Sequence, residues 1–225
     1  TKNIDWRLYG RTDKLFIKQY EEETNLRCQF IIDTSSSMQV DPGSDLSKLQ
    51  YSIWCSSVFL QMLKKQRDAS SLCFFDDQIK EFTKMASSGR HYRELFIRLQ
   101  DYLKYHSESK LTDITSTLHT IANQVHRRSM IILFTDFFEP GRKVDKLFDA
   151  VKHLKHNKHE VIVFNTVHRP TEIDFDYGVA PITFEDPETG ERLKLQPSDV
   201  KTSYKQKVDE RLTIPHYYKP FIQLY

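Results

Sequence analysis

The sequence predicts an α/β fold, a doubly wound and mostly parallel β-sheet with helices on both faces, plus a small C-terminal extension. Two observations lead to this prediction. Four short segments are almost continuously apolar, which is typical of parallel strands buried on both faces. Between them, apolar residues recur with the 3.6-residue period of amphipathic helices. Strands that alternate with helices form right-handed crossovers, and these build a parallel sheet.

The four predicted buried strands span residues 26–33, 71–75, 129–135 and 160–166. Each run ends in polar residues, as expected where a buried strand reaches the edge of its sheet. A strand-like segment at 15–20 precedes the first of them, and another at 79–83 follows Asp76 and Asp77. We interpret this acidic pair as the turn of a hairpin, and not as a second acidic site.

Four amphipathic segments lie between or beside these strands. Ser47 and Gln50 have the spacing of a capping box, so they predict the start of the first helix. The apolar stripes of the four predicted helices are Leu49, Ile53, Leu60 and Leu63; Leu95, Phe96, Leu99 and Leu103; Ile114, Leu118, Ile121 and Val125; and Val144, Leu147, Phe148, Val151 and Leu154.

The periodicity changes after residue 166. A turn at 186–190 joins two short strand-like pieces, and a charged helix at 198–212 follows. We therefore predict an N-terminal strand segment (1–25), an α/β core (26–166) and a C-terminal extension (167–225) made of a hairpin and a charged helix. The chain begins at Thr1 without an initiating Met, so we expect a truncated domain whose upstream sequence, including any membrane anchor, is missing.

Charge and glycine content exclude several function classes. The 33 basic and 31 acidic residues leave a net charge of +2, which gives no electrostatic basis for binding nucleic acid or a membrane surface. The six glycines are too dispersed to form a Walker loop or a dinucleotide-binding fingerprint. We therefore exclude the common nucleotide hydrolases and Rossmann dehydrogenases.

The three cysteines predict a reducing environment. Cys28, Cys55 and Cys73 lie in apolar runs without a C-x-x-C pair, which is typical of free thiols. No apolar stretch approaches the ~18 residues of a membrane span. We therefore expect a cytoplasmic location.

Oxygen-bearing side chains follow two of the predicted strands. Asp33, Ser35 and Ser37 follow the first, and in an extended chain they project to the same side. Asp136 directly follows the strand at 129–135, and Thr112 precedes the third helix. Ligands of doubly wound sheets bind at the carboxyl ends of strands, where the strand order reverses. Two carboxylates and three hydroxyls predict a site for Mg²⁺, with Mn²⁺ or Ca²⁺ as alternatives.

These five residues resemble the metal-ion-dependent adhesion site of von Willebrand factor A-type domains, in their order and at their element ends. The resemblance covers about residues 26–166 and implies a von Willebrand factor A-like sheet of Rossmann-like topology. It also implies that Ser35 and Ser37 bind the ion directly and that Asp33 and Asp136 act mainly through waters. Thr112 would bind directly or through water.

Longer segments resemble the bacterial family called "domain of unknown function fifty-eight". The matching segments are IDWRLYGRTDKLFIKQYEEETN, DTSSSM, LTDITSTL, ILFTDFFEP and FEDPETGERLKL. Members are commonly encoded beside MoxR-type AAA+ ATPases and are thought to act with them in chaperone-like or metal-insertion assemblies. The resemblance therefore implies a MoxR-type AAA+ ATPase as a protein partner.

Together these features predict a non-enzymatic domain that binds proteins through a divalent metal ion, with the partner donating an Asp or Glu to that ion. The ligand motifs hold no His or Lys that could act as a general base. One alternative is a Mg²⁺-dependent phosphoryl-transfer enzyme that uses Asp33, although Ser35 stands where an aspartyl-phosphate pattern needs a second Asp. Another is a scaffold with a vestigial metal site.

A run of histidines invites a zinc interpretation. His153, His156 and His159 have no Cys or carboxylate at chelating spacing, and on a helix they would point in different directions. We expect a solvated helix end instead.

Overall fold

The computed structural model describes residues 6–14, 25–39, 46–104, 114–136, 144–156, 158–185, 190–212 and 221–224. The strands are β1 (Arg27–Asp33), β2 (Ala69–Phe75), β3 (Ile79–Phe82), β4 (Met130–Thr135), β5 (Glu160–Thr166), β6 (Ile182–Glu185), β7 (Arg192–Leu195) and β8 (Phe221–Leu224). The helices are α1 (Trp6–Thr12), α2 (Ser36–Gln39), α3 (Lys48–Gln66), α4 (Gly89–Tyr102), α5 (Ile114–Gln124), α6 (Val144–His156) and α7 (Pro197–Leu212), and a π-helical turn spans Arg169–Ile173.

Within the described segments, the main sheet has six strands in the order β3-β2-β1-β4-β5-β8. All neighbouring strands are parallel except β2 and β3, which are antiparallel. The chain runs outward from β1 to β2 and β3 and then returns to β4 on the other side of β1. The predicted doubly wound fold is therefore confirmed, and its strand order reverses between β1 and β4.

Two apolar clusters cover the two faces of this sheet. Because successive residues of a strand point to opposite faces, Phe30 and Ile32 of β1 pack with residues of α3 and α4. Ile31 points the other way and packs with residues of α5 and α6. Burial on both faces explains why the strands are apolar runs without alternation.

The start of α3 has the predicted capping box. The Gln50 main-chain N–H donates to Ser47 Oγ at 3.2 Å, and the Ser47 N–H donates to Gln50 Oε1 at 3.0 Å. The cap fixes Lys48 as the first residue of the helix. In this position Lys48 lies close to the carboxyl end of the sheet.

The two terminal segments differ from their predictions in part. Residues 6–12 of the predicted N-terminal strand segment form the helix α1, and the predicted strand at 15–20 lies outside the described residues. In the extension, β6 and β7 form the expected antiparallel hairpin and α7 is the expected charged helix. The strand β8, which pairs with β5, was not predicted. The division at residues 25 and 166 stays a prediction.

Membrane spans were sought among the helices of the described segments. None of these helices is both long enough and apolar enough to cross a bilayer.

Candidate functional site

Asp33 ends β1 and is fully buried. Its Oδ1 accepts a hydrogen bond from the main-chain N–H of Ser35 at 2.9 Å. Its Oδ2 accepts from the Thr135 hydroxyl at 2.6 Å, which joins the ends of β1 and β4. One carboxylate oxygen of Asp33 therefore holds the main chain of Ser35, and the other connects β1 to β4.

The chain after Ser35 is not extended, so this part of the prediction is wrong. Residues Ser36–Gln39 form the short helix α2, and the Met38 N–H donates to the Ser35 carbonyl at 3.1 Å. The helical turn nevertheless keeps the two hydroxyls together, because Ser35 Oγ and Ser37 Oγ lie 3.0 Å apart. The hydroxyls of Ser35 and Ser37 therefore lie together as predicted, but a helical turn brings them together and not an extended chain.

Asp136 follows β4 and is only 4% exposed. Its Oδ1 accepts a hydrogen bond from Ser37 Oγ at 3.1 Å. Four of the five predicted site residues thus meet at the point where the strand order reverses, and we call them the serine–aspartate edge: Asp33, Ser35, Ser37 and Asp136. Thr112, the fifth, lies outside the described residues.

The oxygen atoms of this edge are hydrogen-bonded to one another, and their separations also match those of adjacent ligands around a small octahedral cation. Mg²⁺ binds oxygens at about 2.1 Å, so adjacent ligands of an octahedron lie about 3.0 Å apart. The Ser35–Ser37 and Ser37–Asp136 oxygen separations are 3.0 and 3.1 Å. No group of three or more His, Cys, Asp or Glu side chains suited to a metal occurs among the described residues. A cation here would therefore depend on the serine hydroxyls.

Lys48 is a site residue that the sequence analysis missed. Its side chain is 7% exposed, and its ammonium forms ion pairs with Asp136 Oδ2 and, at 2.6 Å, with Glu172 Oε1. Burial lowers the pKa of Lys48, but the two carboxylates outweigh this effect and raise the pKa above its usual range. A lysine in the first turn of a helix is unfavourable next to the helix dipole, but this feature of the sequence does not identify the carboxylates that Lys48 contacts.

Glu172 is the second missed residue, and it belongs to the C-terminal extension. It lies in the π-helical turn after β5, where its Oε2 accepts a hydrogen bond from the His168 N–H at 2.8 Å. The Tyr204 hydroxyl of α7 donates to the main-chain carbonyl of Glu172 at 2.8 Å. The extension is therefore connected to the site through a carboxylate.

Burial and a neighbouring carboxylate make Asp33 harder to ionise. Burial, and then the negative charge of Asp136, raise the pKa of Asp33 to about 6, although hydrogen bonds from Thr135 and Ser35 oppose this rise. A positive charge next to this carboxylate would favour its ionised form.

The structure also describes parts of two motifs that the sequence analysis rejected as binding sites, the acidic pair and the histidine run. Asp76 forms the expected turn between β2 and β3, where its Oδ1 accepts from the Gln78 N–H at 3.2 Å. The prediction of a solvated helix end is wrong for His159, which lies beyond α6 and is 6% exposed. His153 Nδ1 lies 2.9 Å from His119 Nδ1 of α5. The side chain of His156 lies outside the described residues.

The fold and the serine–aspartate edge define a class of protein, a doubly wound α/β domain with hydroxyl and carboxylate groups at its switch point. The chain belongs to the family described as "Protein of unknown function DUF58", which matches residues 1–213. No curated protein matches it.

Two solved structures resemble most of the chain. One is the conserved hypothetical protein BatB from Bacteroides thetaiotaomicron, at 13% identity and a TM-score of 0.54, covering 88% of this chain and 90% of BatB. The other is an aerotolerance-related membrane protein from Bacteroides fragilis NCTC 9343, at 14% identity and a TM-score of 0.51, covering 89% and 92%. At these identities the similarity establishes the fold alone. The VWA domain of SpRpn10 gives a TM-score of 0.44 at 12% identity, covering 64% and 77%.

Proposed function

We propose that this protein binds a partner protein through a divalent metal ion, Mg²⁺ in preference to Mn²⁺ or Ca²⁺, at the serine–aspartate edge. The observation that supports this proposal is the spacing of three hard oxygen atoms, at 3.0 and 3.1 Å, from Ser35, Ser37 and Asp136. Asp33 holds the serine loop in place through its hydrogen bond from the Ser35 N–H. Thr112 is proposed to complete the ligand set, as the family resemblance implies.

The balance of charge explains why the partner would supply a carboxylate. Serine hydroxyls are neutral ligands, so a divalent ion at this edge keeps affinity for an outside Asp or Glu. We propose a MoxR-type AAA+ ATPase as the partner, in chaperone-like or complex-maturation work, on the basis of the resemblance to the DUF58 family. The net charge of +2 favours neither nucleic acid nor a membrane as a binding partner. The cytoplasmic location stays a prediction.

The position of Asp33 favours binding over phosphoryl transfer. A nucleophilic carboxylate needs an oxygen that can reach the phosphorus atom. Asp33 is fully buried, and both of its oxygens accept hydrogen bonds, from Ser35 and Thr135. This arrangement suits a residue that orients a loop.

The test combines ion binding with partner binding. Calorimetry with Mg²⁺ and Mn²⁺ should show binding to the wild type and at least tenfold weaker binding to the Ser35→Ala/Ser37→Ala variant, since two direct ligands are lost. A pull-down of the purified MoxR-type ATPase should lose its signal in the same variant, and also in the wild type when chelator is present.

Thr120→Ala is the matched control, because its hydroxyl donates to the Ser116 carbonyl within α5, away from the site. Equal ATPase capture by the wild type and the double variant, with and without chelator, would contradict the metal-bridged mechanism. Metal binding without capture of the ATPase would retain the site and overturn the choice of partner.

A further inference from the structure

The ammonium of Lys48 is a cation that the protein itself supplies to the site. It joins Asp136, which follows β4, to Glu172, which lies in the turn after β5. The side chains of Lys48 and Asp136 are 7% and 3% exposed, and that of Glu172 is 22% exposed. Such a pair is screened far less by solvent than a surface ion pair, so it affects the neighbouring charges strongly.

Asp136 divides its two oxygens between two neighbours. Oδ1 accepts a hydrogen bond from Ser37 and belongs to the serine–aspartate edge, whereas Oδ2 contacts the Lys48 ammonium. An ion at the edge and the Lys48 ammonium would therefore both contact the carboxylate of Asp136. Two cations that share a carboxylate repel each other, and a nearby second carboxylate reduces this repulsion.

We propose that Lys48 weakens the binding of the divalent ion at the serine–aspartate edge, and that Glu172 reduces this effect by sharing the ammonium. This inference rests on the proposed function, since it concerns the same ion. Three carboxylates, Asp33, Asp136 and Glu172, are balanced when one ammonium and one divalent ion are both present. Glu172 is therefore the group that allows Lys48 and the ion to coexist.

The C-terminal extension contacts this pair through Tyr204. Its hydroxyl donates to the Glu172 carbonyl, and its ring packs on Phe175 with centroids 4.5 Å apart. Tyr204 therefore helps to hold Glu172 beside the ammonium, and loss of its hydroxyl would weaken the binding of the ion.

The test measures Mg²⁺ and Mn²⁺ affinity by calorimetry on the whole chain. Substitutions of Lys48 and of Glu172 are expected to change this affinity in opposite directions. Lys48→Met should bind the ion at least about tenfold more tightly, because a buried positive charge next to the ion is removed. Glu172→Gln should bind it at least about threefold more weakly, because the ammonium loses its second carboxylate. Tyr204→Phe keeps the ring and should shift the affinity in the direction of Glu172→Gln, by less.

Lys152→Met, which removes an exposed lysine paired with Asp149, is the matched control and should leave ion affinity unchanged. Circular dichroism checks that each variant is folded, and Lys48→Gln replaces Lys48→Met if the latter is not. Unchanged or weaker ion binding by a folded Lys48 variant would overturn the inference, and so would tighter binding by Glu172→Gln.

The failures of the two proposals are distinguishable. If the wild type binds Mg²⁺ and the Ser35→Ala/Ser37→Ala variant does not, the metal site stands whatever the Lys48 variant does. If the wild type does not bind at millimolar Mg²⁺ but Lys48→Met does, the inference is supported, because the ammonium then excludes the ion. If neither the wild type nor Lys48→Met binds Mg²⁺, the proposed metal site and the proposed effect of Lys48 are both wrong.

Discussion

Two groups of buried polar side chains, one at each end of the parallel sheet, have different kinds of partner. At the amino end, Asp68 Oδ1 accepts from the Leu26 N–H at 2.9 Å, and His159 Nδ1 accepts from the Ser129 N–H at 3.2 Å. At the carboxyl end, Ser37, Asp136 and Lys48 bond to one another.

On our proposal, the first group of side chains stabilises the fold and the second group binds a ligand. A side chain that is hydrogen-bonded to a buried main-chain group stabilises the fold, because that group would otherwise lack a partner. A network of side chains that contains more carboxylates than ammonium groups can exchange one cation for another. On our proposal, a ligand acts on the side chains of the carboxyl end, and substitutions at the amino end change the stability of the fold alone.

The largest expected effect is the loss of Lys48 in the presence of chelator. Lys48→Met leaves the carboxylate of Asp136 buried without its ammonium partner, so the free energy of unfolding should fall by about 3–5 kcal/mol. Urea denaturation measures this change. Arg90→Met is the control, because Arg90 and Glu94 form a pair whose side chains are 87% and 57% exposed, and its loss should change stability by less than about 1 kcal/mol. Equal losses of stability in Lys48→Met and Arg90→Met would show that the buried ion pair contributes no more than an exposed one, and would contradict this prediction.

The second prediction concerns the pH dependence that Asp33 gives to the chelated protein. Its folded-state pKa of about 6 lies above the ordinary value of 3.8, so the folded state holds the proton more tightly than the unfolded state. Stability is therefore greatest below about pH 4 for this group and falls as the pH rises toward 6, by roughly 3 kcal/mol. Urea titrations between pH 4 and 7 test this slope. Asp33→Asn should abolish it, and a slope retained in that variant would assign it to another group.

The third prediction tests the amino end. Asp68→Ala removes the acceptor of the Leu26 N–H, so the free energy of unfolding should fall by about 1–3 kcal/mol. Because Asp68 precedes β2 and lies at the opposite end of the sheet from the serine–aspartate edge, Mg²⁺ affinity should not change. Asp68→Asn keeps an acceptor and should recover part of the stability. A change in Mg²⁺ affinity in Asp68→Ala would show that the two ends are coupled.

The smallest expected effect is the pH dependence of His159. Burial lowers the pKa of its imidazole below the ordinary value of 6.5, so the unfolded state binds the proton more tightly. Stability is therefore fully present above about pH 6.5 and falls as the pH decreases below it, which is the opposite sign to that of Asp33. His159→Gln should remove this part of the pH profile. If the profile is the same in that variant, His159 does not carry the effect.

The sequence predicted the parts of the fold that depend on burial. The strands β1, β2, β4 and β5 are short, continuous apolar runs bounded by polar residues, and such runs are typical of strands buried on both faces of a sheet. Asp33, Ser35, Ser37 and Asp136 were predictable because each follows a recognisable strand. Their positions in the chain indicated their positions in space.

The missed features depend on contacts between distant segments. Lys48 and Glu172 are separated by 124 positions, and Glu172 lies in a segment without periodicity, so no local pattern joins them. The strand β8 has four residues, which is too short for a distinct alternation of apolar and polar positions. Neither a long-range ion pair nor a short edge strand leaves a local signature in one sequence.

The hydrogen bond between Thr135 and Asp33 joins neighbouring strands that are 102 positions apart along the chain. An ion bound beside it would connect the same two strands, so binding would favour the folded state by mass action. Removal of the ion by chelator would then lower the resistance of this domain to proteolysis and to mechanical force.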